Sequence, residues 1–261
     1  MVISLVPHHH LACARRIRSF FSLVIPTYNE RENIEPLLGS LVGLLNQHLP
    51  GDYEIIVVDD DCPDRTWEAV QAFAIGYPQL KVIRRQGERG LSTAVLGGWQ
   101  AAEGEVLGVM DGDLQHSPGM VLNLLEVIRL GADLAVASRH VRGGGVSDWN
   151  IFRQLLSRGE QALGLVLLPE VLGRVSDPMS GYFLGKRKTI ADRSLNPVGY
   201  KILIEILAKG DVRHIEEVGY VFQERCKGGS KVTWRQCLEY LHHLGRLRLS
   251  LTKQAISRKL K

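Results

Sequence analysis

Short apolar runs alternate with segments of helical periodicity over the first half of the chain. Five of the runs are rich in branched residues and predict buried strands at residues 21–28, 53–60, 80–85, 105–111 and 133–139. Between them, apolar residues recur at helical spacing, with Asn29 and Ser117 as candidate N-caps. Strands that are apolar along their whole length are typical of a parallel sheet covered on both faces. The pattern therefore predicts an α/β fold with a mostly parallel central sheet and helices on both faces.

The pattern changes after residue 140. A glycine-rich stretch comes first, and the predicted elements that follow are a helix at 151–168, a strand at 181–187, a helix at 200–210 and a strand at 214–225. A second glycine-rich stretch, "CKGGSK", comes next. The final segment, 233–254, carries five leucines on one stripe: Leu238, Leu241, Leu244, Leu247 and Leu251. It predicts a basic amphipathic helix that either packs on the protein or lies on a membrane.

Polar residues gather where the predicted strands end. The stretches "PTYNE", "DDDCPD", "RQGERG" and "DGD" follow the first four strands. Ligands of open α/β sheets bind beyond the carboxyl ends of the strands, so four charged loops there predict a binding site. Asp60 and Glu30 can accept hydrogen bonds from a nucleobase or a ribose, and Arg85 and Arg89 can balance phosphate charge.

The stretch "VMDGDLQHSP" at residues 109–118 holds the strongest candidate for metal binding. Asp111, Asp113 and Gln115 stand at alternate positions, so an extended chain would point all three the same way. Oxygen ligands of this kind suit Mg²⁺ or Mn²⁺, which share their remaining ligands with substrate phosphates. A solvated turn before the next helix explains the same residues, and this stretch alone leaves both interpretations open.

Composition and charge narrow the class of protein. The chain has 261 residues, of which 45% are hydrophobic and 23% charged, as in an ordinary globular protein. Its four cysteines form no CxxC pair, which favours reduced thiols over a disulfide framework or a zinc site. No stretch has the ~18 apolar residues of a membrane-spanning helix.

The charge is unevenly distributed along the chain. Residues 225–261 contain ten Lys or Arg and one acid, a net +9, so the other residues sum to −5 against a total of +4. Such a basic segment can bind anionic lipid, nucleic acid or a phosphorylated ligand. There is no Walker loop, and no G-x-G-x-x-G follows the first strand, which disfavours P-loop, kinase and Rossmann-dehydrogenase functions.

Several motifs in order resemble those of a known family. "VIPTYNERENIE", "YEIIVVDDDCPDRT", "RQGERGLSTAV" and "VMDGDLQHSP" resemble the GT-A, family-2 glycosyltransferases. "SRHVRGG", "WNIFRQLLSRG", "DPMSGYFLGKR", "GYKILIEI" and "ERCKGGSKV" are similar to the dolichyl- or polyprenyl-phosphate mannosyltransferases within it. The resemblance covers roughly residues 21–250. It implies a GT-A domain at 20–232 and a basic amphipathic helix at 233–261, with 1–19 expected to be a disordered extension.

The resemblance also implies a reaction and its partners. Enzymes of this type transfer mannose, with inversion, from GDP-mannose to the phosphate of a membrane polyprenol, and they use Mg²⁺ or Mn²⁺. The implied location is the cytoplasmic face of a membrane, as a peripheral protein without a transmembrane helix. Many bacterial relatives have C-terminal membrane helices that this sequence lacks, so the resemblance implies either a soluble-type form or a membrane-anchoring subunit as a further partner. Nucleic acid is not expected as one.

Matching the family motifs residue by residue gives the expected site. The donor-binding residues are Pro26, Tyr28, Glu30, Val58, Asp60, Asp111, Gly112, Asp113, Arg225 and Lys231. The residues expected at the acceptor phosphate are Arg139, Arg153 and Ser157. The expected metal ligands are Asp113 and Gln115, with Asp111 facing the donor, and the expected catalytic residues are Asp113, Arg139 and Arg225.

Two alternatives and one departure from the family accompany this interpretation. The same reaction with UDP-glucose would give polyprenyl-phosphate glucose, and a nucleotide-sugar-binding subunit would have no turnover at all. The family often has "DDGSPD" where this chain has "DDDCPD", so Asp61 and Cys62 replace Gly and Ser. Asp61 adds a negative charge beside the expected base pocket, which leaves the nucleotide preference open.

Overall fold

The computed structural model describes residues 20–147, 159, 161–190, 195–224 and 234–259, and within the last helix it describes the side chains of 238–253. Nine strands occur in these ranges. They are β1 (Phe21–Thr27), β2 (Tyr53–Asp59), β3 (Leu80–Arg84), β4 (Val106–Val109), β5 (Leu134–Ser138), β6 (Gly145–Val146), β7 (Phe183–Lys186), β8 (Ile215–Gly219) and β9 (Val221–Phe222).

Helices connect and cover the strands. They are α1 (Arg31–His48), α2 (Thr66–Ala74), α3 (Leu91–Ala101), α4 (Met120–Arg129), α5 (161–167), α6 (Pro169–Leu172), α7 (Arg187–Ile190), α8 (Ile202–Lys209) and α9 (Trp234–Lys259). No helix within the described ranges is long and apolar enough to cross a membrane.

Seven strands form the central sheet, in the order β3-β2-β1-β4-β7-β5-β8. All neighbours are parallel except β7, which runs antiparallel between β4 and β5. β6 and β9 form a separate two-stranded parallel sheet. The five strands expected from the first half of the sequence are confirmed. β1, β2, β4 and β5 are buried along their whole length, whereas β3, at the edge of the sheet, is only partly buried.

Two apolar clusters lie on opposite faces of the sheet. Along β1, Leu23 and Ile25 belong to the cluster under α1, α2 and α4, whereas Val24 belongs to the cluster under α3, α8 and α9. This alternation is the two-residue period of a strand. Gly98 explains why α3 tolerates glycine: a Cβ there would lie 2.5 Å from a methyl group of Val24. The α/β architecture with helices on both faces is therefore confirmed.

Two expected helix caps are wrong. Asn29 has a left-handed backbone with φ 56°, and α1 begins two residues later with Glu30 at the N-cap position. α4 begins at Met120, and the backbone carbonyl of Ser117 accepts a hydrogen bond from the Met120 amide instead of a side-chain cap forming. After β1 and after β4 the chain makes an extra turn before the next helix begins. Asn29 and Ser117 lie in these turns and not at the N-cap positions.

The leucine stripe of α9 divides between two surroundings. Leu244 and Leu247 are buried against the domain together with Tyr240, so one face of α9 packs on the protein. Leu238 and Leu241 are 54% and 40% exposed. The packed-helix interpretation therefore holds for the inner part of the stripe, and two leucines of the expected stripe remain at the surface.

A buried carboxylate joins α8 to α9. Glu205 accepts hydrogen bonds from Lys209 Nζ at 2.6 Å and from the Asn196 amide at 2.8 Å. Its Oε2 lies 2.8 Å from His243 Nε2. Burial alone would raise the pKa of Glu205, but the hydrogen bonds from His243 and Lys209 outweigh it and lower the pKa from 4.5 to about 2.

We expect Glu205→Gln to destabilise the protein by about 3 kcal/mol at neutral pH. Because the folded-state pKa is lowered, the contribution of Glu205 is fully present above its ordinary pKa of 4.5 and is lost as pH falls toward 2. Urea unfolding followed by circular dichroism at pH 7 and pH 3 measures both effects. Glu170→Gln, which removes a half-exposed partner of Arg248, is the control. Equal acid sensitivity of the wild type and Glu205→Gln would contradict the assignment.

Candidate active site at the carboxyl edge of the sheet

The carboxyl ends of β1 and β2 are joined by a buried network around Asp59. Its Oδ2 accepts hydrogen bonds from the Thr27 hydroxyl at 2.9 Å and from the Cys62 thiol at 2.6 Å. Its Oδ1 accepts the backbone amide of Cys62 at 3.0 Å. Burial and the bond to Asp59 raise the pKa of the Cys62 thiol to about 12, so it remains protonated. The Cys62 thiol thus donates the hydrogen bond that a hydroxyl group would donate at this position. The network fixes the loop that carries Asp60.

Asp60 lies at the edge with both carboxylate oxygens engaged. Its Oδ1 accepts hydrogen bonds from Nε of Arg85, at 2.7 Å, and from Nη2 of the same side chain. Its Oδ2 accepts the Gly90 amide at 2.8 Å. Arg85 is itself only 9% exposed, so it serves as the partner of Asp60, whereas the sequence suggested a role in balancing phosphate charge. A carboxylate can accept about four hydrogen bonds, so a fixed Asp60 retains capacity for one from a ligand.

Asp61 occupies a backbone position that favours glycine. Its φ is 51°, in the left-handed region, which explains why a glycine suits this place and why Asp tolerates it better than most residues. The carboxylate accepts a hydrogen bond from Arg84 Nε at 2.5 Å, and Arg84 lies 4.0 Å from the centre of the Trp67 ring. The extra negative charge beside the site is therefore paired within this chain.

The other residues expected to bind the donor differ in what they expose. Tyr28 is half-buried, with the guanidinium of the exposed Arg89 lying 5.3 Å from its ring centre. Glu30 is 5% exposed and accepts a hydrogen bond from Asn33 at 2.6 Å. The Val58 side chain is fully buried in the core, so only its backbone can contact a ligand.

The segment after β4 turns sharply instead of remaining extended. β4 ends at Val109, and Leu114 has a left-handed backbone with φ 62°. The expectation that an extended chain aligns Asp111, Asp113 and Gln115 is therefore wrong in its geometry. The turn is closed by a hydrogen bond from the Gln115 backbone amide to Asp113 Oδ1 at 3.1 Å, and the two residues are 2% and 6% exposed. Asp113 and Gln115 therefore lie in one tight turn and not on an extended strand.

Gln115 connects this turn to the segment that follows β9. Its side-chain Nε2 donates to the Gln223 carbonyl at 3.0 Å, and the Gln223 amide donates to the Gln115 carbonyl at 2.9 Å. This arrangement leaves the amide oxygen of Gln115 for another partner. The turn is therefore held from two sides, by its own backbone and by the strand pair β6–β9.

His116, which the sequence analysis did not select, lies directly behind Asp111. Its Nε2 is 3.4 Å from Asp111 Oδ2, and its ring is 2% exposed. The rings of Tyr182, Tyr220 and Phe222 surround it, with ring centres 5.2–5.5 Å away. Asp111 Oδ1 is shielded from solvent and has no hydrogen-bond partner within the described ranges. His116 directly follows the expected metal ligands in the sequence, and this adjacency was the signal from which its place in the site could have been predicted.

Gly112 and Gly181 allow this close packing. A Cβ on Gly112 would lie 3.2 Å from Thr27 Cγ2, and one on Gly181 would lie 2.5 Å from Asp111 Oδ2. The loop before β7 therefore approaches Asp111 more closely than any residue with a side chain would permit.

Arg139, at the end of β5, forms a two-pronged ion pair with Asp177. Nε and Nη2 donate to the two carboxylate oxygens at 2.7 Å each, and the Arg139 amide donates at 3.1 Å. Asp177 is fully buried. Burial would lower the pKa of Arg139, but the bonds and charge of Asp177 raise it, with a smaller contribution from Asp111. Asp177 stands in "DPMSGYF", a family motif in which the sequence predicted no role for that residue.

Four expected site residues lie outside the described residues: Arg153, Ser157, Arg225 and Lys231. The second glycine-rich stretch, with its glycines at 228 and 229, does so too. The other expected site residues all lie at the carboxyl ends of β1, β2, β4 and β5 or in the loops that follow them. Their common edge is the one at which open α/β sheets bind ligands.

The oxygen donors at this edge suit a divalent cation that also binds its substrate. Within the described part of the chain, no three His, Cys, Asp or Glu side chains form a metal cluster. Asp113 and Gln115 would supply one carboxylate and one amide oxygen, and Asp111, two residues before Asp113, would add a second carboxylate. So few protein ligands fit Mg²⁺ or Mn²⁺ shared with a diphosphate better than an ion held by protein alone.

The sequence model of the family described as Glycosyl transferase family 2 matches residues 22–190, well over half of the chain. The chain belongs to glycosyltransferase family 2. The family expected from the motifs is thus confirmed. In this family 2 glycosyltransferase the matched region contains the carboxyl ends of β1 to β5, Asp177 and Gly181, whereas Tyr220, Phe222 and Gln223 of the candidate site lie beyond it.

Two relatives extend the match beyond that region. The chain is 46% identical over 226 residues to "Dolichol-phosphate mannosyltransferase" of Pyrococcus furiosus, covering 87% of this chain and 63% of that protein. It thus spans less than two thirds of that relative. It is 34% identical over 236 residues to the protein of the same name from Saccharomyces cerevisiae, covering 87% of this chain and 86% of that one.

A solved structure supports the fold. Glucosyl-3-phosphoglycerate synthase from Mycobacterium tuberculosis, in complex with Mn²⁺, UDP-glucose and phosphoglyceric acid, matches with a TM-score of 0.64 and 20% identity. The match covers 89% of this chain and 79% of that one. The GT-A type of fold expected for this family 2 glycosyltransferase is confirmed.

Proposed function

We propose that this protein transfers mannose from GDP-mannose to the phosphate of a membrane polyprenol, with inversion at the sugar. The observation that carries the proposal is the match to two proteins named dolichol-phosphate mannosyltransferase, one of them covered over 86% of its length. In the reaction an oxygen of the polyprenyl phosphate attacks C1 of mannose. The bond from C1 to the diphosphate breaks, and GDP leaves with the electron pair.

The nucleotide is bound, in this proposal, between the ends of β1 and β2. Asp60, fixed by Arg85 and Gly90, accepts a hydrogen bond from the base or the ribose. Tyr28 and Arg89 provide a flat, positively charged surface beside it. Pro26, Val58 and Gly112 contribute backbone and shape, because their side chains are buried or absent.

The diphosphate would be held through a divalent cation bound by Asp113 and Gln115. When bound, Mg²⁺ or Mn²⁺ neutralises charge that develops on the leaving diphosphate. Asp111 faces the donor from its position beside His116. Arg225 and Lys231 are proposed to contact the diphosphate from the second glycine-rich stretch.

The acceptor phosphate is assigned to Arg139, with Arg153 and Ser157. Asp177 holds Nε and Nη2 of Arg139, so the guanidinium is fixed before the acceptor arrives. A phosphate monoester has a second pKa of about 6 and is mostly ionised at neutral pH, so its attack requires no strong general base. The protein's own side chains position the acceptor phosphate and the donor diphosphate and balance their negative charge.

A donor panel tests the reaction. The purified protein is incubated with polyprenyl phosphate, Mg²⁺ or Mn²⁺, and radiolabelled GDP-mannose, UDP-glucose or GDP-glucose in turn, and label in extracted lipid is counted. We expect label from GDP-mannose at a rate at least about tenfold above the rate with the other donors. Buried polar groups that bind a substrate commonly discriminate against its analogues by at least this factor.

Each other outcome separates an alternative. Label from UDP-glucose alone would contradict mannose transfer and support a glucosyltransferase. No label from any donor, together with nucleotide binding measured by calorimetry, would support a binding subunit without turnover. Enzymatic transfer to free phosphate instead of lipid would contradict the proposed acceptor class.

The acceptor is a lipid, and we infer that α5 and α9 meet the membrane surface as a peripheral attachment. Ten large apolar side chains are exposed within the described ranges, and seven of them lie on these two helices. The helices are neighbours, because Gly164 of α5 packs against the Tyr240 hydroxyl of α9. Exposed apolar residues on a helix with basic residues beside them are typical of an interfacial helix.

Replacing both Leu238 and Leu241 with glutamine is expected to weaken binding to vesicles of phosphatidylcholine and phosphatidylglycerol by about tenfold. Both leucines are exposed, so the fold does not depend on them. Flotation of the full chain measures the bound fraction. Leu130→Gln, at a leucine 76% exposed on another part of the surface, is the matched control. Equal flotation of all three proteins would reject these leucines as a membrane contact.

A further inference from the structure

α8 and α9 border a cavity of about 380 Å³ that shares no lining residue with the carboxyl-edge site. Part of its lining is charged: Lys209 comes from the end of α8, and Arg246 and Lys253 come from α9. Asn196, in the segment that precedes α8, completes one wall. The cavity is therefore a second feature of this domain, built by different elements from those that bear the candidate active site.

The charge of this α8–α9 pocket is unbalanced toward positive. Three cationic side chains line it, against a single carboxylate, that of Glu205. That carboxylate is already satisfied, because Lys209, His243 and the Asn196 amide all lie within 2.8 Å of its oxygens. The positive charges of the two α9 residues in the lining, Arg246 and Lys253, have no carboxylate partner among the residues that form the pocket.

The α9 residues are spaced to contact one anion together. Arg246, Ser250 and Lys253 are separated by four and three positions, so they share one face of the helix over about two turns. Arg246 makes one long hydrogen bond, from Nη2 to the Asn196 carbonyl at 3.5 Å. A guanidinium fork, a hydroxyl and an ammonium are the donor types that recognise phosphate oxygens.

The rim of the pocket is apolar on one side. Leu249 belongs to the lining and is 65% exposed. A cationic pocket between helices with an exposed apolar rim is the arrangement that binds phosphorylated lipid headgroups, and its cations also suit free phosphate.

We propose that the α8–α9 pocket binds a phosphate group, held by Arg246, Ser250 and Lys253. This phosphate site is separate from the one proposed for the polyprenyl acceptor. The phosphate comes either from an anionic lipid headgroup or from a free phosphate in solution. The proposal does not depend on the donor or on sugar transfer.

The test uses the full chain and two matched double variants. Arg246→Gln with Lys253→Gln removes two charges from the pocket. Lys188→Gln with Arg213→Gln removes two exposed charges from elsewhere on the surface. One arm titrates inorganic phosphate by calorimetry at constant ionic strength. The other arm measures flotation with two kinds of vesicle, one of phosphatidylcholine alone and one that also contains about 20% of the anionic lipid phosphatidylglycerol.

We expect the pocket variant to bind at least about tenfold more weakly than wild type in one or both arms, and the control variant to change by less than about twofold. Loss in the vesicle arm alone identifies a lipid headgroup as the source, and loss in the inorganic phosphate arm identifies free phosphate. The proposal is overturned if the pocket variant and the control variant behave alike in both arms. Thermal unfolding of all three proteins confirms that the variants are folded.

Discussion

Asp113→Asn is expected to lower sugar transfer by about 10³-fold without unfolding the protein. The side chain is 6% exposed, in a turn that is fixed by the Gln115 amide and by the Gln115–Gln223 pair. Asparagine keeps the shape and can still accept that hydrogen bond, so the change removes charge more than structure. Steady-state transfer from GDP-mannose to polyprenyl phosphate measures the loss.

A second measurement separates the metal assignment from the reaction. Calorimetric binding of Mn²⁺ in the presence of GDP is expected to be at least about tenfold weaker for Asp113→Asn, because one of the two proposed protein ligands has lost its charge. Asp211→Asn, a half-exposed carboxylate before β8, is the control. Unchanged Mn²⁺ affinity in Asp113→Asn would refute the ligand role even if transfer fell.

Asp177→Asn is expected to have the largest combined effect on stability and activity. It leaves the Arg139 guanidinium, which is only 10% exposed, without its anionic partner. Removing one member of a buried ion pair costs about 3–5 kcal/mol, because the other charge stays buried. We expect that loss in urea unfolding, together with a rise of at least about tenfold in KM for polyprenyl phosphate.

The double variant Asp177→Asn with Arg139→Gln distinguishes packing from function. Two neutral amides of similar size recover much of the lost stability, since no uncompensated charge remains. Transfer stays low in the double variant, because the acceptor phosphate has lost the arginine proposed to bind it. Recovery of transfer along with stability would show that Arg139 has only a structural role.

Much of the fold could be predicted from local pattern. β1, β2 and β4, in the parallel part of the sheet, are apolar along most of their length, and that signal is independent of what they pair with. The position of β7 could not be predicted in this way. "FLGK" reads as a strand, but its antiparallel place between β4 and β5 depends on contacts with residues about 75 and 50 positions earlier in the chain.

The candidate site likewise contains residues that could be located from the sequence and a pairing that could not. Asp60, Asp111 and Asp113 could be located because they follow strands whose carboxyl ends share an edge. The pairing of Arg139 with Asp177 could not, because 38 residues separate them and no spacing rule connects them. The partner of Arg85 could not be predicted either: its position at the edge suggested a phosphate contact, and the structure pairs it with Asp60.

β7 also has a consequence for how the chain folds as it is synthesised. β1 to β4 can pair as soon as residue 109 has emerged, but the link from β4 to β5 is made only by a strand at residues 183–186. Until then the growing chain has an unpaired edge on β4 and another on β5. Long-range pairing of this kind is slow and leaves edges open to other chains. We expect the late pairing of β7 with β4 and β5, rather than the pairing of the parallel strands β1 to β4, to set the rate at which the carboxyl edge of the sheet is assembled.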